Sequence, residues 1–265
     1  MATQVKFYRK NRADLTNTEV VYTASQGQTT INSAFDRGNF FGWQTTGSQD
    51  SDNTSIEIDY IDTTDIDTIM LMGQNFDAYT VQYWNGAAYV DFSTPINVSG
   101  NADDNKVHTF TVVTTQKIKL IITGTMVADA DKILHQFICT EFMGQLVGWP
   151  EIRNPITTRN RKKRSMLSGK VNINENIGGF SCRLRVRNWS SQADMTLVET
   201  LYNANEGFLV WLAAGDEAQF GTALIGNRFE DIYLMKLSNE YNPARVRGIY
   251  TNGVKIELRL EETIA

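Results

Sequence analysis

Residues 79–92 read Tyr-Thr-Val-Gln-Tyr-Trp-Asn-Gly-Ala-Ala-Tyr-Val-Asp-Phe. Apolar and polar side chains alternate along 79–84, the period of a strand with one buried face. Asn85-Gly86 then interrupts the alternation with two residues that accept positive φ, so the chain must turn back as a hairpin. No helical arrangement satisfies this pattern, and it recurs. Residues 55–60 (Ser-Ile-Glu-Ile-Asp-Tyr) alternate in the same way, and 68–72 (Thr-Ile-Met-Leu-Met) form a continuous apolar run suited to a central strand, closed by Gly73-Gln74-Asn75. Residues 108–113, 117–122 and 133–142 supply three more strands. Short strands at regular spacing predict a jelly-roll β-sandwich.

The pattern changes near residues 144–155. Trp149-Pro150 and Asn154-Pro155 push the chain to extended geometry. We place the domain boundary here, with a β-sandwich over 1–148 and a second domain over 149–265. The second domain opens on a dense basic run, Arg159-Asn160-Arg161-Lys162-Lys163-Arg164, read as a loop. A strand over 169–174, a turn at Asn176–Gly179 and a strand over 180–186 follow. One helix is predicted over 191–204, with Ser190 or Ser191 as N-cap and Asp194 in the first turn. Met195, Val198, Leu201 and Tyr202 share its apolar face. Strands are expected at 208–212, 231–237, 245–250 and 254–260, the last two flanking Asn252-Gly253. The predicted fold is mostly β: an N-terminal sandwich, then an α+β domain with one main helix packed on an antiparallel sheet.

Charge separates the halves. Residues 1–150 carry 17 acidic and 9 basic side chains, a net of −8, while 151–265 carry 13 and 16, a net of +3. Such asymmetry points to different neighbours for the two domains. No stretch approaches the ~20 apolar residues of a membrane span. The first residues have positive charge without an apolar segment behind it, so a secretory signal is not expected and synthesis in a cytoplasm is. Cys139 and Cys182 sit in separate apolar segments and read as buried thiols.

Catalytic equipment is scarce. There are two histidines, His108 and His135, and neither lies in a nucleophile-bearing frame. Zinc-ligand spacing, GxxxxGK[ST] and a GxGxxG after a strand are all missing from the sequence. No cofactor is expected, and the chain reads as a binding protein and not an enzyme. One gap remains, because the acidic residues Asp50, Asp52, Asp59, Asp62, Asp65 and Asp67 include pairs that glycoside hydrolysis would need.

Three groups are candidate sites. Asp50 and Asp52, in Ser-Gln-Asp-Ser-Asp-Asn-Thr-Ser, are calcium candidates or parts of a solvated loop. Phe40, Phe41 and Trp43 crowd a turn-like segment and offer rings for a glycan or a protein partner, with Trp43 alternatively a core plug. Arg159, Arg161, Lys162, Lys163 and Arg164 form a mobile basic loop between domains, either plainly solvated or docking on an acidic neighbouring subunit. The run has no interleaved aromatics, so nucleic acid is not its expected partner.

Two resemblances add to this. Ala34-Phe35-Asp36, Trp43, Ile56-Glu57-Ile58-Asp59, Ile69 through Phe76, and the strands at 79–84 and 117–122 are similar to discoidin-type, galactose-binding-like domains. This implies a jelly roll and the capacity to bind a surface glycan. Glu141 through Leu146 leading into Trp149-Pro150, then Gly207 through Leu212, Asp231 through Leu234, and Gly248-Ile249-Tyr250 with Asn252-Gly253-Val254 resemble bacteriophage tail proteins of the distal-tail or adaptor type. That implies a virion structural subunit, assembled in the host cytoplasm, forming homo-oligomeric rings and holding other tail proteins. The alternative expectation is a glycan-binding module for a cell-surface polysaccharide.

Overall fold

The first strand of the chain, β1 (Gln4–Tyr8), pairs with a strand some two hundred residues away, and this sets the architecture. The computed structural model describes residues 4–36, 42–146, 150–165, 171–186, 192–204, 207–214, 232–237 and 256–262. It divides into two compact units. One is Arg9–Phe142; the other combines Met1–Tyr8 with Met143–Ile264. The chain therefore leaves the second unit after β1, builds the whole first unit, and returns.

The Arg9–Phe142 unit is the expected sandwich. Its strands are β2 (Val20–Ala24), β3 (Trp43–Gln44), β4 (Thr54–Gln74), β5 (Phe76–Trp84), β6 (Tyr89–Val98), β7 (Lys106–Thr125) and β8 (Ile133–Thr140), with a 3-10 helix at Gln28–Ala34. The sheet order is β3-β8-β4-β7-β5-β6, and β2 pairs with β4. Two strands are longer than the alternation suggests. Residues 55–60 and 68–72 belong to one strand, and so do 108–113 and 117–122. Register shifts between Asp59 and Thr64 and between Ile66 and Thr68 let β4 and β7 stay paired throughout. Thr114–Gln116 is thus not a turn. Irregularities of this kind bend a strand without ending it. Ile56 and Ile58 before the shift, and Ile66, Ile69 and Leu71 around and beyond it, are all fully buried in one core with Ile118, Leu120 and Phe137. Each such side chain contributes roughly 1.5–3 kcal/mol of burial.

Polar side chains close the sandwich's loops. Asn11 is buried; its Oδ1 accepts from the Ala13 and Cys139 amides (3.1 and 2.9 Å) and its Nδ2 donates to the Phe137 carbonyl (3.2 Å). Asn101 donates to Phe76 O and Asp103 O, and Asn75 ties Asp131 O to the Ile133 amide. Side-chain amides here do the work that a regular ladder does elsewhere.

The other unit holds β1, β9 (Phe142–Leu146), β10 (Pro150–Ser165), β11 (Val171–Val186), α1 (Gln192–Asn203), β12 (Phe208–Ala214), β13 (Ile232–Leu237) and β14 (Ile256–Glu262). The sheet order is β10-β11-β14-β13-β12-β1-β9. Its β1–β12, β10–β11, β11–β14, β12–β13 and β13–β14 pairs are antiparallel. Leu197, Val198 and Leu201 of α1 are buried in one cluster with Val5, Phe7, Phe208, Val210 and Leu258. The predicted helix on an antiparallel sheet is present. Asn176–Gly179 is not a turn, because β11 runs through it opposite β10. The predicted strand over 245–250, the Asn252-Gly253 hairpin and the Ser190/Ser191 cap lie outside the described residues.

Candidate functional site

The Asn85-Gly86 hairpin forms as the sequence requires. Gly86 takes a φ of 99°, Asn85 N donates to Ala88 O (3.1 Å), and the Asn85 Oδ1 accepts from the Ala87 and Ala88 amides. The turn places Trp84 directly opposite Tyr89. Tyr79, Val81 and Phe92 point into the core, so Thr80, Gln82, Trp84, Tyr89 and Asp91 belong to the outer face.

That face extends across the sheet. Register carries it from Gln82 to Lys119 on β7, Glu57 on β4 and Thr23 on β2; a parallel row holds Lys117, Asp59 and Val21. Trp84 and Tyr89 meet edge to face, with centroids 5.3 Å apart, and both rings are half-buried. Lys119 Nζ lies 5.1 Å from the centre of the Tyr89 ring, a cation–π distance. Lys117 Nζ is 2.5 Å from Asp59 Oδ2 and 3.6 Å from Glu57 Oε1. Gln82 Nε2 donates to Asp91 Oδ1 (3.0 Å).

Two of these groups have shifted proton affinities, Lys117 and Tyr89. The hydrogen bond to Asp59, working against burial and helped by the charges of Asp59 and Glu57, holds the Lys117 ammonium above its ordinary pKa. Burial first, then the Glu57 and Asp59 carboxylates, hold the Tyr89 phenol above its own, so it remains a neutral hydroxyl. Lys117 stands between the two acids.

The residues singled out from the sequence fare differently. Trp43 is fully buried, and its Nε1 donates to Gln26 O (3.2 Å). It is a core plug and offers no ring to a ligand, which corrects its place among the contact candidates. Gly27, with φ of 66°, backs it; a Cβ there would come within 2.8 Å of the indole nitrogen. Phe40 and Phe41 lie outside the described residues.

Asp50 is spent on the loop itself. Its Oδ1 accepts from Thr125 N and Oγ1 (3.0 and 2.8 Å), and its Oδ2 from Asp129 N (3.3 Å). Against the effect of burial, these bonds and the Lys132 charge hold its carboxyl below the ordinary value. Asp52 Oδ2 accepts from Gln49 N (3.1 Å). The cation of this loop is the buried Lys132 ammonium, which donates to Ser48 Oγ (2.6 Å) and Gln49 O (2.8 Å). Among the described residues no group of three or more His, Cys, Asp or Glu could hold a metal ion. Asp50 and Asp52 are both engaged by donors of the loop itself.

Arg159, Arg161, Lys162, Lys163 and Arg164 are not in a mobile loop. They lie on β10, with Arg159 opposite Ile177, Arg161 opposite Glu175, and Lys163 opposite Ile173. His108 Nε2 is 2.8 Å from the Tyr79 hydroxyl. Burial, then the Lys106 charge, lowers its pKa from 6.5 to about 4, so it is a neutral structural imidazole. His135 is exposed, with its ring against Gly42 and Gly73, both at positive φ, where a Cβ would come within 3 Å of it. Cys139 is a buried free thiol whose pKa burial pushes up to about 12. Among the described residues no helix is long and apolar enough to cross a membrane.

Sequence reasoning passed over Trp84, Tyr89, Lys117 and Lys119. The signal was available in part. A hairpin at Asn85-Gly86 already sets Trp84 against Tyr89, whereas the lysines arrive only through pairing with β7.

No protein-family model matches the chain, and no curated protein sequence matches it. Among solved structures it is similar to chitosan-binding module 1 of a chitosanase/glucanase from Paenibacillus sp. IK-5, at 17% identity and a TM-score of 0.40, covering 49% of this chain and 98% of that one. It is also similar to the family 32 carbohydrate-binding module of Clostridium perfringens NanJ in complex with galactose, at 15% identity and a TM-score of 0.39, covering 52% and 99%. A putative α-L-fucosidase from Bacteroides thetaiotaomicron matches at 12% identity and a TM-score of 0.42, covering 50% of this chain and 29% of that one.

Proposed function

We propose that the chain is a non-catalytic glycan-binding protein whose recognition surface is the outer face of β4, β7, β5 and β6. The observation that carries this reading is the half-buried Trp84–Tyr89 pair beside Lys119, Gln82, Asp91 and the Lys117–Asp59–Glu57 group. A sugar ring has an apolar C–H face and an edge of hydroxyls that both donate and accept. Aromatic rings suit the first, and carboxylates, an amide and an ammonium suit the second. The polar groups are already bonded to one another, so little entropy is lost in ordering them for a ligand.

A glycan array read with the wild type and with Trp84→Ala and Tyr89→Ala tests it. Either substitution is expected to weaken binding roughly tenfold, the equivalent of one lost aromatic contact of about 1.4 kcal/mol. Phe40→Ala and Phe41→Ala on the same array score the loop alternative. A wild type that binds no glycan, or binding indifferent to Trp84 and Tyr89, removes this face from consideration.

A second reading, a ring-forming tail subunit, is favoured by one feature: the basic run is held in a strand, which gives it defined spacing toward a partner. Opposite net charge on the two sequence halves would then steer copies together, and salt would weaken the assembly. Light scattering across a salt series checks this, and a monomer at every ionic strength sinks it.

A further inference from the structure

We infer that the far end of the β10–β11 ribbon in one copy of this chain docks on a small apolar patch, flanked by acids, on the sandwich of another copy; this rests on the second reading above, that copies assemble. Three observations lead there. First, β10 and β11 outrun their sheet. They pair from Pro150 opposite Val186 to Ser165 opposite Val171. β14 accompanies β11 only over Ser181–Val186, and β10 is the end strand of the sheet. Among the described residues, therefore, 157–165 and 171–180 form a ribbon with no third strand beside it. At ~3.4 Å per residue it is roughly 30 Å long. A two-stranded hairpin without further support is marginally stable in water, so a surface that covers this one stabilises it.

Second, charge and register define what can cover the ribbon. It carries Arg159, Arg161, Lys162, Lys163 and Arg164 against Glu175 alone, a net of +4. Register sets Arg159 opposite Ile177, Arg161 opposite Glu175 and Lys163 opposite Ile173, alternate pairs that share one side of the ribbon. That side combines three cations with two isoleucines. An acidic surface with an apolar centre matches it; a nucleic acid backbone offers the charge without that centre.

Third, the chain itself supplies such a surface. Residues 9–142 hold 17 acidic and 8 basic side chains, a net of −9. On β2 and β4, Val21 and Ile61 are 57% and 61% exposed. Val21 lies opposite Asp59, and Ile61 N donates to Glu19 O (2.9 Å), so the two apolar residues are diagonal neighbours on the outer face. Glu19 and Asp62 flank them, and both are exposed. A ribbon side of about 30 by 10 Å covers roughly 300 Å², well under the ~800 Å² per partner of a standard interface. A single contact is therefore weak, and it depends on concentration and on salt.

Light scattering on the full chain at about 100 μM tests this. The wild type is expected to associate in about 50 mM salt, and about 500 mM salt is expected to weaken association roughly tenfold. A ribbon variant (Arg159→Gln, Arg161→Gln, Lys163→Gln) and a patch variant (Glu19→Lys, Ile61→Thr, Asp62→Lys) are each expected to be monomeric alone. Mixed in equal amounts, they are expected to form a one-to-one dimer that grows no further, since one supplies only an intact patch and the other only an intact ribbon. Carbodiimide cross-linking of the wild type needs no substitution. On a mixture of isotopically labelled and unlabelled chains, it is expected to join Lys163 of one copy to Glu19 or Asp62 of another. Variants that associate as the wild type does, a mixture that stays monomeric while the wild type associates, or cross-links between copies only at other places overturn the docking inference and leave assembly standing. A wild type that is monomeric at every ionic strength overturns both.

Discussion

The two units of this chain are built by opposite strategies. The sandwich is one continuous segment, Arg9–Phe142, and nearly every strand pairs with another strand of that segment through loops closed by Asn11, Asn75, Asn101 and Lys132. The other unit is discontinuous. Its sheet needs β1 from the start of the chain to fill the place between β12 and β9. Closing a loop grows costly only slowly with length, so an inserted domain is tolerated between two strands of a sheet. The lesson is that each unit should respond to different residues, and that Met1–Tyr8 should count with residues two hundred positions away.

The sharpest way to break this comparison is a matched pair of core truncations. Trp43→Ala in the sandwich and Phe7→Ala in β1 each remove a fully buried aromatic, and Phe7 packs against Phe208 with centroids 6.0 Å apart. Each is expected to cost about 3–5 kcal/mol. Hydrogen exchange should localise the first loss to residues 9–142 and the second to β12 and α1. If both variants loosen the same amides equally, the units are a single cooperative body and the comparison fails.

A smaller effect sharpens the point about loops. Asn11→Ala strands two buried amide donors, at Ala13 and Cys139, and is expected to cost about 1–3 kcal/mol. Faster exchange confined to those amides and the Phe137 segment supports the side-chain closure; unchanged exchange there speaks against it.

A third effect is a pH dependence of the sandwich. His108 has its pKa lowered from 6.5 to about 4, by burial first and then Lys106. Its neutral form is favoured by the fold, so its contribution is complete above pH 6.5 and is lost as pH falls through about 4. The melting temperature of the sandwich should decline over that window. His108→Phe should flatten the decline, and a profile identical to the wild type would refute the assignment.

Much of the sandwich was legible because its strands have one buried face, and an alternating pattern states which face that is. The Asn85-Gly86 turn, the buried thiol of Cys139 and the helix face of Val198 and Leu201 were legible for similarly local reasons. Less legible were elements that continue through polar or glycine-rich residues. β4 crosses Asp62–Asp67, β7 crosses Thr114–Gln116, and β11 crosses Asn176–Gly179, each held in place by a partner strand and not by its own propensity. The basic run misled for the same reason: six charged or polar residues look like a loop until β11 is seen opposite them.

The candidate site divides along the same line. By itself, the sequence determined that Trp84 and Tyr89 would face one another, because a tight turn and strand period are local properties. Only the tertiary structure decided that Lys117, Lys119, Glu57 and Asp59 would join them, and that Trp43 would be buried. Those placements follow from core packing and from cross-strand register between residues far apart in the chain, as Gln82 with Lys119 and Lys119 with Glu57. No pattern within one strand encodes them, since register is chosen by whichever pairing buries every apolar face at once.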